Sequence, residues 1–118
     1  MVPALALLLA AAPTLHVSLV KSTATEASAA VQKELKAQLA PLEGCYDLAL
    51  KDNPSLTGSV TVTFTAERDE GVSTISAGPD SVKDDTLVSC VLARLRFGEW
   101  PNPKKTLKVT AVFHFAKR

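Results

Sequence analysis

Between Gly58 and Ala66 the chain alternates cleanly. Val60, Val62 and Phe64 fall on one side, and Thr61, Thr63 and Thr65 on the other. A period of two predicts an antiparallel strand with one face on a core and the other in water. Glu67-Arg68-Asp69-Glu70-Gly71 is polar and ends in glycine, which suits a short hairpin loop. Val72 to Ala77 reads as the return strand, and because Val72 and Ile75 are out of step with simple alternation, a bulge is expected between them. A third strand is predicted over Thr106 to Phe115, with Leu107, Val109, Ala111, Phe113 and Phe115 on one face.

Helical periodicity fills the intervals. From Thr25 the composition turns to Ala, Glu, Gln, Lys and Leu, all good helix formers. Val31, Leu35 and Leu39 recur every four residues, and Leu42, Tyr46 and Ala49 resume the stripe. Pro41 interrupts it, so a kink or a fresh helix start is expected there, and Asp52-Asn53-Pro54 ends the segment. Gly78-Pro79-Asp80-Ser81 is turn material. Asp84 or Asp85 can then cap a helix whose apolar positions are Leu87, Val88, Val91, Leu92 and Leu95, with Cys90 beside the stripe. Phe97-Gly98-Glu99-Trp100-Pro101-Asn102-Pro103 breaks that helix. Leu15 to Val20 alternates weakly, as a short strand or as a segment that is removed or unstructured. The order helix, strand, strand, helix, strand predicts an α+β domain, a three-stranded antiparallel sheet packed on one side by helices.

Composition adds compartment and rules out some partners. The 118 residues make one domain, with a net charge of +1 and a pI near 7.8. Lys and Arg are spread along the chain apart from Lys104-Lys105 and Lys117-Arg118, so there is no basic footprint for nucleic acid. Val2 to Ala12 is an apolar run followed by small residues, Ala10-Ala11-Ala12, in the manner of a secretory signal, although its n-region has no Lys or Arg. Cleavage after Ala12 would place Pro13 next, which signal peptidase disfavours. Sites after Ser22 or Ala24 have acceptable small residues but sit far from the apolar run. The alternative is a membrane anchor over Val2 to Val20, a run that carries Pro3, Pro13, Thr14, His16 and Ser18. Residues 1–22 are therefore assigned to the signal or apolar segment and 23–118 to the folded domain. The protein is expected in the periplasm or secreted, or else held in the inner membrane facing the periplasm. Two cysteines in an exported chain, Cys45 and Cys90, favour a disulfide over two buried thiols.

Little in the sequence points to chemistry. His16 and His114 are the only histidines, and their spacing to the cysteines matches no compact metal-ligand pattern. Asp84-Asp85 read as helix-capping residues, and Glu67, Asp69 and Glu70 as a solvated turn. No nucleophile elbow, phosphate loop or triad order is present. No catalytic residue, metal or cofactor is expected. Tyr46 and Trp100, the single Tyr and Trp, are read as core packing or as amphipathic contacts at an interface.

Several spaced features agree in order with one family pattern. Leu39 and Leu42 precede Cys45-Tyr46; Leu50 is followed by Pro54-Ser55-Leu56-Thr57-Gly58; Val60, Val62 and Phe64 lead to Gly71-Val72; Cys90-Val91 is followed by Trp100-Pro101. From Ala24 to Phe115 the chain resembles the C-terminal domain of TonB and the AgmX/PglI C-terminal family. Gly44, Gly78-Pro79-Asp80 and Phe97-Gly98 depart from that pattern. The resemblance implies a binding module with Tyr46, Pro54, Gly58, Gly71, Trp100 and Pro101 as its structural motif. It also implies capture of an extended segment of a cell-envelope protein by strand addition. The alternatives are a membrane-anchored structural subunit of a cell-envelope assembly (gliding, transport or secretion) and, less favoured, a small enzyme. Two strands are candidate edges for that role, Val72 to Ala77 (Val72, Thr74, Ile75) and Leu107 to Phe115 (Val109, Val112, Phe113). An energy transducer of the TonB kind needs a membrane helix and a long proline-rich spacer ahead of this domain, and neither is in the given chain, so direct energy transduction is not expected.

Overall fold

The computed structural model describes residues 16–117. The apolar run Val2–Ala12, with its small-residue triplet, lies outside the described residues, as do Leu15 and Arg118. The elements follow in the order β1 (Val17–Ala24), α1 (Ser28–Ala37), α2 (Leu39–Asp52), β2 (Gly58–Glu67), β3 (Gly71–Ala77), α3 (Asp85–Arg96) and β4 (Thr106–Phe115). The α+β class agrees with the sequence, but the sheet has four antiparallel strands, not three, in the order β1-β4-β2-β3.

The extra strand corrects the topology. β1 pairs along β4 from Val17 opposite Phe115 to Ala24 opposite Val109, with an irregularity at Val20. β4 therefore lies inside the sheet, between β1 and β2, and its residues Val109, Val112 and Phe113 are not on an edge. β4 is also the most regular apolar alternation in the chain, with Leu107, Val109, Ala111, Phe113 and Phe115 all buried. A strand of that pattern is best served with neighbours on both sides.

Local signals account for the other boundaries. Pro41 is the third residue of α2, where its missing N–H would have had no intrahelical partner, so the chain breaks at Gln38 and restarts. Asp84 caps α3 by accepting a hydrogen bond from the Leu87 N–H at 2.9 Å. β2 and β3 join through Arg68-Asp69-Glu70, and their register slips between Thr65 and Ala66, leaving Ser73 as the extra residue of the expected bulge.

The three helices of the described residues lie on one face of the sheet. Val31 and Leu35 of α1, Leu42, Cys45, Tyr46 and Ala49 of α2, and Leu87, Val91 and Leu95 of α3 meet the apolar face of β2 and β4 in one buried cluster. Cys45 and Cys90 form a disulfide between α2 and α3, with Cα atoms 5.6 Å apart. It joins positions 45 residues apart. Among the described residues no helix covers the other face of the sheet, which is lined with hydroxyls. One row runs across all four strands: Thr23, Thr110, Thr63 and Ser76. Among the described residues no helix is long and apolar enough to cross a membrane.

Candidate functional site

With β4 interior, the open edges of the sheet among the described residues belong to β1 and β3, and their chemistry differs. β1 carries Lys21 and a bulge at Val20, a residue that is 58 % exposed. A charged residue and a bulge are the usual means by which an edge strand resists pairing with another chain. β3, Gly-Val-Ser-Thr-Ile-Ser-Ala, has no charge and no proline. Its bulge sits at the hairpin end and leaves Thr74 to Ala77 in regular register with Thr65 to Val62.

The hydrogen-bond pattern shows which way the β3 backbone faces. The Gly78 N–H donates to the Thr61 carbonyl at 2.7 Å. Paired residues in an antiparallel ladder alternate between bonded and non-bonded positions, so Ser76 and Thr74 bond to β2 while the amides of Ile75 and Ala77 face outward. Beyond Ala77 the chain stays beside β2, where the Val82 N–H donates to the Ser59 carbonyl at 2.9 Å. The exposed ladder is therefore short and well bounded.

The candidate residues of β3 divide between the two faces. Val72 and Ile75, opposite Ala66 and Phe64, lie on the helix side and are half-buried against the core. Thr74 lies on the hydroxyl face, with its Oγ1 2.5 Å from that of Thr65.

At the Gly71 end of β3 a hollow of about 200 Å³ opens between the hairpin and the loop after α3. Trp100, Pro101, Pro103, Ala66 and Gly71 give it an apolar wall, and Glu67 and Asp69 add carboxylates. The loop is fixed from several directions. The Trp100 indole N–H donates to the Leu95 carbonyl at 2.7 Å at the end of α3, and the ring lies 4.7 Å from that of Phe64. Asn102 and Asp69 form a reciprocal pair: the Asp69 N–H donates to Asn102 Oδ1 at 2.9 Å, and Asn102 Nδ2 donates to Asp69 Oδ1 at 2.8 Å. Glu34 of α1 accepts from the Glu99 N–H at 2.9 Å. Gly98 makes the fold-back of Trp100 possible, since a Cβ there would come within 2.8 Å of the indole.

Tyr46, Gly58 and Gly71 serve the packing and turns of the chain. Tyr46 is fully buried and its hydroxyl donates to the Leu56 carbonyl at 2.5 Å, tying α2 to the chain between Pro54 and Gly58. Burial raises the Tyr46 pKa above its ordinary value, and the nearby Glu43 carboxylate raises it further. Gly58 sits at φ 142°, and a Cβ there would lie 2.4 Å from Val82 Cγ1. Gly71 closes the hairpin at φ 74°. Trp100 and Pro101 differ from Tyr46 in being half-buried and facing the hollow, while Pro54 is exposed. His114 lies on the hydroxyl face, its Nδ1 3.1 Å from Ser59 Oγ. Among the described residues no three His, Cys, Asp or Glu side chains converge as a metal-binding group.

Three further residues have positioning roles. Glu43 on α2 accepts from the backbone N–H groups of His16 and Val17, the latter at 2.7 Å, and so holds the start of β1. Glu34 and Asn102 hold the loop that walls the hollow. Nothing in their spacing marks them, because each acts on a backbone distant in sequence. Comparison with protein-family models, with curated proteins and with solved structures finds no match to this chain.

Proposed function

We propose that this domain is an exported interaction module, resembling the TonB C-terminal and AgmX/PglI C-terminal domains, that binds an extended partner segment along β3. The supporting observation is the pairing of an uncharged open edge, with the Ile75 and Ala77 amides outward, and a fixed hollow beside Gly71. Strand addition uses those two elements for different ends: backbone hydrogen bonds supply affinity and a side-chain pocket supplies choice. Trp100 and Pro101 favour an apolar stem, and Glu67 and Asp69 favour a basic head, so a Lys or Arg of the partner suits the hollow. The partner in this reading is a cell-envelope protein with an extended segment, met in the periplasm or outside the cell.

The test begins with extended peptides selected against the folded domain from a randomised displayed library. Amide exchange should then show protection of Ile75 and Ala77, and Ala77→Pro should abolish binding while the domain stays folded, since an edge strand tolerates proline where its N–H faces outward. Selected peptides that protect other surfaces and bind Ala77→Pro unchanged would refute the reading.

A further inference from the structure

We infer that processing of the N-terminal segment takes place upstream of His16, within residues 10–15, and not after Ser22 or Ala24. The inference rests on the reading of the apolar run as an export signal. It chooses among cleavage positions that the sequence leaves open.

Residues 17–24 are an integral part of the sheet. Val17 is buried, and β1 supplies the outer neighbour of β4 from Val109 to Phe115. The ties continue on both sides of the strand. The Ala116 N–H donates to the His16 carbonyl at 3.0 Å, and Glu43 accepts from the His16 and Val17 amides. At the other end the Thr25 N–H donates to the Lys108 carbonyl at 3.1 Å, and the Lys108 N–H returns a bond to Thr25 Oγ1 at 2.9 Å. β1 is also the strand on which α1 and α2 both pack.

A cut after Ser22 would remove Val17 to Ser22, and a cut after Ala24 would remove the whole strand. Either would strip the outer edge of β4, a ten-residue strand with five buried apolar side chains, and leave Glu43 without its backbone partners. The product would expose a long apolar edge to pairing with other chains. A cut within residues 10–15 leaves every one of these contacts in place.

The full chain, expressed in a bacterium with a periplasm and recovered by cell fractionation, can be weighed intact. A periplasmic species whose mass places its first residue between Ala11 and His16 is the expected result. A mature protein beginning at Thr23 or Thr25 overturns the assignment while leaving export intact. A full-length species overturns the export reading itself, and the boundary with it. As a second measurement, chains beginning at Pro13 and at Thr25 can be melted side by side. The shorter should lose the cooperative transition of the longer, and equal transitions would overturn the argument.

Discussion

Reduction of the Cys45–Cys90 bond should cost this domain a large part of its stability. The bond joins positions 45 residues apart on α2 and α3. Removing a loop constraint of that length from the unfolded chain returns entropy worth about 4 kcal/mol at 25 °C. A single small domain has roughly 5–15 kcal/mol in all. For a chain of about this size, such a loss lowers Tm by about 16–30 °C. The cost should arise mainly in the unfolded state, because the two thiols fill nearly the space the disulfide filled. Urea titrations with and without reductant measure it directly. Trp100, the only tryptophan, rests on Phe64 and so reports its own environment in the folded core edge. The midpoint should fall on reduction, and the m-value should rise as the unfolded chain becomes less compact. The Cys45→Ala, Cys90→Ala double variant should behave alike, with a small additional loss at buried Cys45. Equal stability of the oxidised and reduced forms, within about 1 kcal/mol, would refute the loop-entropy argument.

Tyr46→Phe leaves the buried Leu56 carbonyl without its donor and should cost about 1–3 kcal/mol in chemical denaturation, with the fold retained. Because the folded Tyr46 pKa lies above the unfolded value near 10, the unfolded chain loses its proton first. Stability tied to this group is therefore complete below about pH 10 and falls as pH rises through the folded pKa. Ultraviolet titration of this sole tyrosine should show the raised midpoint, and Tyr46→Phe should lack that part of the alkaline loss. Gly58→Ala drives a Cβ into Val82 at a positive φ and should cost at least about 1–3 kcal/mol, read as a lower urea midpoint. Trp100→Ala removes both the bond to the Leu95 carbonyl and the wall of the hollow, so it should weaken binding of any β3-directed peptide as well as lower Tm.

Much of the architecture could be read from periodicity because the strong patterns coincide with burial. Val60, Val62 and Phe64 are buried as their alternation requires, and the helical stripes of Val31–Leu35, Leu42–Ala49 and Leu87–Leu95 all face the sheet. The bulge between Val72 and Ile75 and the cap at Asp84 follow from local chemistry alone. β1 was harder to read. Only Val17 of its eight residues is fully buried, the bulge at Val20 breaks its alternation, and it adjoins an apolar run that resembles a signal. Its strand character comes from tertiary ties, to β4 and to Glu43, that no local pattern encodes.

That one strand decides where a partner could dock. Without β1 the sheet ends at β4, and Leu107 to Phe115 looks like an edge as open as Val72 to Ala77. With β1 in place β4 is interior, and the new edge is defended by Lys21 and the exposed Val20 bulge. The remaining edge lacks such a charge, although nothing in its burial would forbid one: Ser73, Thr74 and Ser76 are exposed and could be Lys or Glu without disturbing the core. An edge that could be charged at little structural cost and is not, lying beside a hollow pinned by Trp100, Asn102 and Glu34, is the feature on which the proposed strand addition depends.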